Sequence, residues 1–218
     1  AASFDYASIR YGGSGICTGG YEDSTYNSCY SRAQLDIRKA NLQMVHSEIR
    51  DGHTDGICLD SPGKTPYIQE TAITNNTNGV SSDNIGWAIN QTTINMQPDY
   101  LNLVFSGNDF NKVGIKVAQL NQDVSLGGSP LRFYCGFTSC PIEVPSGRTL
   151  TVQAGASLDM TSVNPTLSVL TGGTLLILGT ESHPVTIDEA GIEVAYGGMA
   201  EISYSDLDGG DRVYYGLY

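Results

Sequence analysis

An all-β solenoid of short strands is the fold that the sequence predicts, on three observations. Gly, Ser, Thr and Asn make up 78 of the 218 residues, while charged residues reach only 16 %. An ordinary soluble domain carries about 25 % charged residues, and helix bundles draw on far more Glu, Lys, Ala and Leu. One phrase recurs along the first half of the chain: an aliphatic residue, a polar turn rich in Gly and Asn, then Gly followed by an alternating apolar strand. From Ile142 onward, short alternating segments are separated by glycine turns. A chain of this length buries a sizeable core in one domain or two modest ones.

The recurring phrase appears as Ser8-Ile9-Arg10-Tyr11-Gly12-Gly13 before Gly15-Ile16-Cys17, and as Glu48-Ile49-Arg50-Asp51-Gly52 before Gly56-Ile57-Cys58-Leu59. It returns as Ala72-Ile73-Thr74-Asn75-Asn76 before Gly86-Trp87-Ala88-Ile89, and as Val104-Phe105-Ser106-Gly107-Asn108 before Gly114-Ile115-Lys116-Val117. A fifth copy, Asp206-Leu207-Asp208-Gly209-Gly210, runs into Gly216-Leu217-Tyr218. The intervals between residues 9, 49, 73 and 105 are irregular, as a coiled ribbon allows, because each strand keeps register with its neighbours while the turns vary in length. Ile9, Ile49, Ile73 and Phe105 are the expected interior stack, and Asn76 and Asn108, at equivalent places, are expected to form a ladder inside a turn.

Residues 33–50 are the helix-like competitor, since they contain good helix formers. Leu35 with Ile37 and Leu42 with Met44 alternate, however, and the segment runs directly into a copy of the phrase, so strands are expected. In the second half, strands are expected at Thr149–Val152, Ser157–Met160, Leu167–Val169, Thr174–Ile177 and Pro184–Ile187. The chain divides into residues 1–141, with the Gly-Ile phrases, and residues 142–218, which continue the solenoid and are a candidate start of a second repeat unit. Residues 2–9 align with 200–207 at an offset of 198, so the chain begins and ends at nearly the same point of a cycle. Phe4, Tyr6, Ile9, Tyr214, Tyr215, Leu217 and Tyr218 are the candidates for end-to-end self-association, because uncapped terminal coils expose unpaired backbone and apolar side chains.

Residues 142–187, with Val144-Pro145-Ser146-Gly147-Arg148-Thr149-Leu150-Thr151-Val152 and Gly173-Thr174-Leu175-Leu176-Ile177-Leu178-Gly179, resemble the opening coils of right-handed parallel β-helix domains of secreted and surface-anchored microbial proteins, the pectate-lyase-like superfamily. Residues 46–59 resemble later coils of the same fold. The resemblance implies a right-handed parallel β-helix, an architecture shared by pectate lyases, tailspikes and adhesins, and no single activity. Polysaccharide lyases of this fold pair a calcium-binding carboxylate cluster with a base. The local candidates for such chemistry are Glu48, Arg50, Asp51, His53 and Asp55, with Asp60 nearby. Asp51-Gly52 and Asp55-Gly56 are ordinary turn pairs, and a solvated turn is the expectation here ahead of an active site.

Asp206, Asp208 and Asp211 have the flavour of a calcium loop without the full twelve-residue pattern, so a structural calcium ion is the one cofactor considered. His46 and His183 read as surface residues. Neither a Gly-x-Ser-x-Gly elbow nor a phosphate-cradling Gly-x-x-x-x-Gly-Lys occurs. The net charge of −12, from 23 acids and 11 bases, argues against nucleic acid and anionic lipid. The longest aliphatic run, Leu175 to Leu178, falls far below the roughly 20 residues of a membrane helix. Ala1-Ala2-Ser3 lacks the start of a signal peptide, so the chain reads as mature or as a cut piece.

Five cysteines without a Cys-x-x-Cys pair favour disulfides over zinc. Cys135 with Cys140 and Cys17 with Cys29 would leave Cys58 alone; alternatively Cys17 pairs with Cys58. Asn75 and Asn90 head sequons that would lie on exposed turns. The function expected is an exported structural module of a cell-surface stalk, adhesin or head-to-tail filament, located outside the cell, with another copy or a neighbouring repeat as partner. The alternative is a carbohydrate-active enzyme or glycan-binding module.

Overall fold

The computed structural model describes residues 2–10, 33–60, 64–77, 87–116, 118–127, 130–134, 141–160, 166–188, 191–208 and 213–215. These residues are all-β: no helix is present among them, and none is long and apolar enough to cross a membrane. The chain forms two compact units, residues 1–92 with 98–114, and residues 93–97 with 115–218.

In the first unit the chain repeats a set of three strands, here termed a rung. The first rung is β1 (Ala2–Asp5), β2 (Ser8–Arg10) and β3 (Ala33–Arg38); the second is β4 (Leu42–Val45), β5 (Glu48–Arg50) and β6 (Asp55–Asp60). The third is β7 (Tyr67–Gln69), β8 (Ala72–Thr74) and β9 (Trp87–Gln91), and the fourth is β10 (Asp99–Leu101), β11 (Val104–Ser106) and β12 (Phe110–Lys116), whose first five residues belong to this unit. Each strand pairs in parallel with its counterpart in the adjacent rung, in the orders β1-β4-β7-β10 and β2-β5-β8-β11, with β3, β6, β9 and β12 likewise adjacent. Segment 33–50 is therefore strand, as its alternation predicts: Leu42 and Met44 point inward and are fully buried, while Gln43 between them is exposed.

The register reproduces the irregular spacing of the phrase. Ile9 lies opposite Ile49, Ile49 opposite Ile73, and Ile73 opposite Phe105. A second inward column runs through Phe4, Met44, Ile68 and Tyr100. Each fully buried aliphatic side chain in these columns contributes roughly 1.5–3 kcal/mol. The glycine half of the phrase does not keep the expected alignment. Ile57 lies opposite Ile89, not opposite Trp87, because the connection from β8 to β9 is longer than that from β5 to β6 and the inward apolar residues set the register.

Single residues in the left-handed region turn the chain between strands. Tyr6, His46, Glu70 and Asn102 follow β1, β4, β7 and β10 with φ of 50°, 48°, 47° and 52°; Asp51 and Asn75 follow β5 and β8 with φ of 59° and 56°. This region costs a non-glycine residue about 1–2 kcal/mol. The cost is offset by stacking of identical corners, where each amide donates to the next rung: Glu70 to the Leu101 carbonyl at 2.9 Å and Asn75 to that of Ser106 at 2.9 Å.

The expected ladder of Asn76 and Asn108 is present and buried. The Asn76 backbone amide and Nδ2 both donate to Asn108 Oδ1 at 2.9 Å, and Asn108 Nδ2 donates to the Ile73 carbonyl at 2.7 Å. Asn76 Oδ1 in turn accepts from the Gly52 amide at 3.2 Å and from Gln34 Nε2. In the interior, Trp87 stacks on Phe110 with centroids 4.3 Å apart. A Cβ on Gly114 would lie 2.6 Å from Trp87 Cδ2, so only glycine fits beneath the indole.

The second unit contains β13 (Val124–Leu126), β14 (Pro130–Tyr134) and β15 (Ile142–Val144), then β16 (Thr149–Gln153), β17 (Ser157–Asp159) and β18 (Thr166–Val169). These are followed by β19 (Thr174–Leu178), β20 (Val185–Asp188) and β21 (Gly191–Val194), and by β22 (Met199–Ser203), β23 (Ser205–Asp208) and β24 (Val213–Tyr215). All five strands expected from the second-half texture occur, again paired in parallel: β13-β16-β19-β22, β14-β17-β20-β23 and β15-β18-β21-β24. Its corners use glycine at the third turn position, Gly147, Gly172 and Gly197 with φ of 70°, 74° and 77°, as type II turns require. The Gly147 amide donates to the Gly172 carbonyl and Gly172 to Gly197, both at 2.9 Å, so these turns stack as the strands do. Tyr204, the residue aligned with Tyr6 at the offset of 198, occupies the same left-handed conformation with φ of 43°.

Replacing Asn108 with Ala removes the acceptor for the buried Asn76 amide. The expected loss is about 2–3 kcal/mol, read from urea unfolding followed by the fluorescence of Trp87, the single tryptophan; an unchanged midpoint would show that the corner does not depend on the ladder. Burial holds the Tyr100 phenol, which donates to Gln91 Oε1 at 3.3 Å, well above the ordinary tyrosine range. The native state keeps this proton where the unfolded chain has lost it. Stability should therefore fall as pH rises above about 10, by up to about 1.4 kcal/mol per pH unit. Tyr100→Phe should flatten that slope in unfolding free energies measured between pH 9 and 11.

Candidate functional site

The outer face of β2, β5 and β8 carries the residues singled out for acid–base chemistry. Parallel pairing places Ser8 opposite Glu48 and Arg10 opposite Arg50. Glu48 Oε1 lies 3.2 Å from Arg50 Nε, Glu48 Oε2 lies 3.5 Å from Arg10 Nη2, and Asp51 Oδ2 lies 3.6 Å from Arg50 Nε. Asp51 Oδ1 also accepts from Asn75 Nδ2 at 3.2 Å. Glu48, Arg50 and Asp51 are thus brought together as a half-exposed ion-pair row, which ordinary surface pairs form at a gain of about 0–1 kcal/mol. His53 is exposed.

Asp55 is separated from that row by burial. It is 1 % exposed at the start of β6; Oδ1 accepts the Trp87 amide at 2.9 Å and Oδ2 accepts Asn90 Nδ2 at 2.8 Å. Strand alternation turns this carboxylate into the structure, where it fastens the start of β9. The same contact distinguishes the two sequons: Asn75 is exposed at a corner, whereas the Asn90 amide is committed to Asp55 in a half-buried site, not on an exposed turn.

Asp206 and Asp208 are exposed on β23, opposite Thr186 and Asp188; Asp211 lies outside the described residues. Among the described residues no group of three or more His, Cys, Asp or Glu side chains is placed to hold a metal ion. Cys58 is buried and its sulfur is disulfide-bonded. Cys17, Cys29, Cys135 and Cys140 lie outside the described residues, so no disulfide is described at both ends, but the pairing that leaves Cys58 alone does not hold.

Among the self-association candidates, Phe4 and Ile9 are half-buried and Tyr6 is exposed; the side chains of Tyr214 and Tyr215, and Leu217 and Tyr218 altogether, lie outside the described residues. His183 is exposed, with Nδ1 2.9 Å from Ser182 Oγ.

The corner column holds a further constellation outside the predicted site residues. The rings of Tyr6 and His46 stack with centroids 4.8 Å apart and planes 9° from parallel. His46 Nε2 lies 2.8 Å from Glu70 Oε2, and His46 Nδ1 lies 3.3 Å from Asp5 Oδ1. The signal was available, because Tyr6, His46 and Glu70 are separated by the same intervals as Ile9, Ile49 and Ile73.

No family model matches this chain, and no curated protein or solved structure matches it either.

The buried and the half-exposed acids should part on substitution. Asp55→Ala leaves the Trp87 amide and the Asn90 side chain without their acceptor and should cost about 2–4 kcal/mol. Glu48→Ala should cost less than about 1 kcal/mol. Thermal and urea unfolding of both variants measure the difference, and equal losses would contradict this division.

Proposed function

We propose that the chain is a right-handed parallel β-helix and serves as an exported structural module of a cell-surface stalk, adhesin or extracellular filament, extended by end-to-end stacking of rungs from separate copies. The observation that carries this reading is the uncovered interior of the outermost described rungs. Phe4 and Ile9 stand in line with Met44 and Ile49, which are 0 % exposed, yet both remain half-buried. In the second unit Leu207 is 38 % exposed although it continues the column of Leu158 and Ile187. Among the described residues, strands β1, β2 and β3, like β22, β23 and β24, each have a single strand partner, and such edges invite a further strand.

Charge adds only a little to this reading. The first rung carries Arg10, Arg38 and Lys39 beside Asp5 and Asp36, with Arg38 paired to Asp36 and Arg10 to Glu48, while β22 and β23 carry Glu201, Asp206 and Asp208 and no Lys or Arg. Stacking of one end of a copy on the other end of the next is heterologous. Heterologous contacts of this kind propagate into open filaments unless the rotation closes a ring. A disulfide at Cys58 supports location in an oxidising compartment outside the cell. In this role the function is mechanical, and the paired rungs form the stiff element.

The test is sedimentation velocity over a hundredfold range of concentration, with negative-stain imaging of the same samples. The native chain should lengthen with concentration into thin filaments, and Leu207→Lys should sediment as a single small species throughout. Identical monodisperse behaviour of both proteins would refute end-to-end assembly.

A further inference from the structure

We propose that the outer face of the sheet β1-β4-β7-β10 binds a neutral polysaccharide, with the rings of Tyr6 and Tyr67 as stacking platforms. The register sets the outward columns of this sheet. Ser3, Gln43, Tyr67 and Asp99 form one, and Asp5, Val45, Gln69 and Leu101 the next. The corner residues Tyr6, His46, Glu70 and Asn102 border them. Planar amides and carboxylates beside exposed aromatic rings are the groups that recognise a sugar: the ring covers its apolar C–H face, and the polar atoms bond its hydroxyls.

Two features make this face a prepared site. Tyr6 is 77 % exposed, yet its ring is fixed, because one face lies on His46 and His46 is held between Glu70 and Asp5. Tyr67 is 36 % exposed; its hydroxyl donates to Gln69 Oε1 at 2.7 Å, and Gln69 Nε2 donates to Asp99 Oδ2 at 3.2 Å. Groups already ordered in the free protein lose little entropy when a ligand arrives. The two tyrosines are two strands apart in the sheet and three residues apart along it, since Tyr67 is in register with Ser3; usual strand spacing and rise put them roughly 14 Å apart, so a ligand that touches both is a chain of sugars and not a single ring.

Charge selects the class. Asp5, Glu70 and Asp99 lie on this face, and no Lys or Arg stands in either column or at the four corner positions. A polyuronate or a nucleic acid would be repelled, whereas sugar hydroxyls are donors that carboxylates and amide oxygens accept. A protein interface would more commonly carry a central apolar patch or an arginine; here Leu101 is the one large aliphatic residue exposed in the two columns, beside the Tyr67 ring.

This inference does not rest on end-to-end assembly, but Tyr6 belongs to the first rung, where a stacked copy would cover it. The test is therefore run on both the native chain and Leu207→Lys, by affinity electrophoresis in native gels containing hydroxyethylcellulose, mixed-linkage β-glucan or galactomannan, with polygalacturonate as the anionic comparison. Leu207→Lys should be retarded in at least one neutral gel and not by polygalacturonate. Tyr6→Ala with Tyr67→Ala should weaken retardation at least tenfold, and Gln43→Lys, at an exposed position of the same face, should weaken it as well. Circular dichroism and Trp87 fluorescence should stay native in all of them. No retardation in any neutral gel, unchanged retardation by the substituted chains, or retardation confined to polygalacturonate would overturn the assignment.

Discussion

Parallel backbone pairing between successive rungs is the constraint on which the remaining features depend. A strand of three or four residues is too short to be stable alone. Here each is held by counterparts 24, 32 or 40 residues away in the first unit, and 20 to 29 residues away in the second. Register is fixed by the inward apolar column, because a slip of one residue would turn Ile49 or Ile73 to solvent. Chain length between strands is then free to vary, which is why the first unit tolerates such unequal rungs.

Corners answer to the same pairing in two chemical ways. The first unit places Tyr, His, Glu, Asp and Asn in the left-handed region, and the stacked amide bonds of adjacent corners offset the strain. The second unit uses glycine turns, where the conformation carries no side-chain penalty. The buried ladder of Gly52, Asn76 and Asn108, whose Asn108 amide donates to the exposed Asn111 side chain, satisfies backbone groups at a bend where the sheet itself cannot. Asp55 does the same for the start of β9.

Stacking also organises the surface. Any residue at a given rung position stands beside its equivalents, so outward side chains form columns whose chemistry is cumulative. On one face the result is a row of ion pairs through Arg10, Glu48 and Arg50; on another it is a band of aromatic and planar polar groups around Tyr6, His46 and Tyr67. The two proposed uses draw on different parts of one scaffold, the open rungs and the outward columns, and they compete at Tyr6, which belongs to both.

The sequence by itself determined the all-β class, the strand character of residues 33–50, the column through residues 9, 49, 73 and 105, and the pairing of Asn76 with Asn108. All four follow from local alternation and from the spacing of a repeated phrase, which are one-dimensional properties. Tertiary structure alone decided which polar residues lie inside. Glu48, Arg50, Asp51 and Asp55 look alike as a cluster of charge, yet Asp55 is buried because its strand begins one alternation out of phase with the row on β5. The column of Tyr6, His46 and Glu70 was legible in the repeat intervals, but the stacking of His46 on Tyr6 and its place between Asp5 and Glu70 were not, since side-chain contact between rungs depends on the folded register. Local pattern records the face a residue takes on its own strand. The residue it meets on the next rung depends on how many residues the intervening turns consume, and only the folded register supplies that.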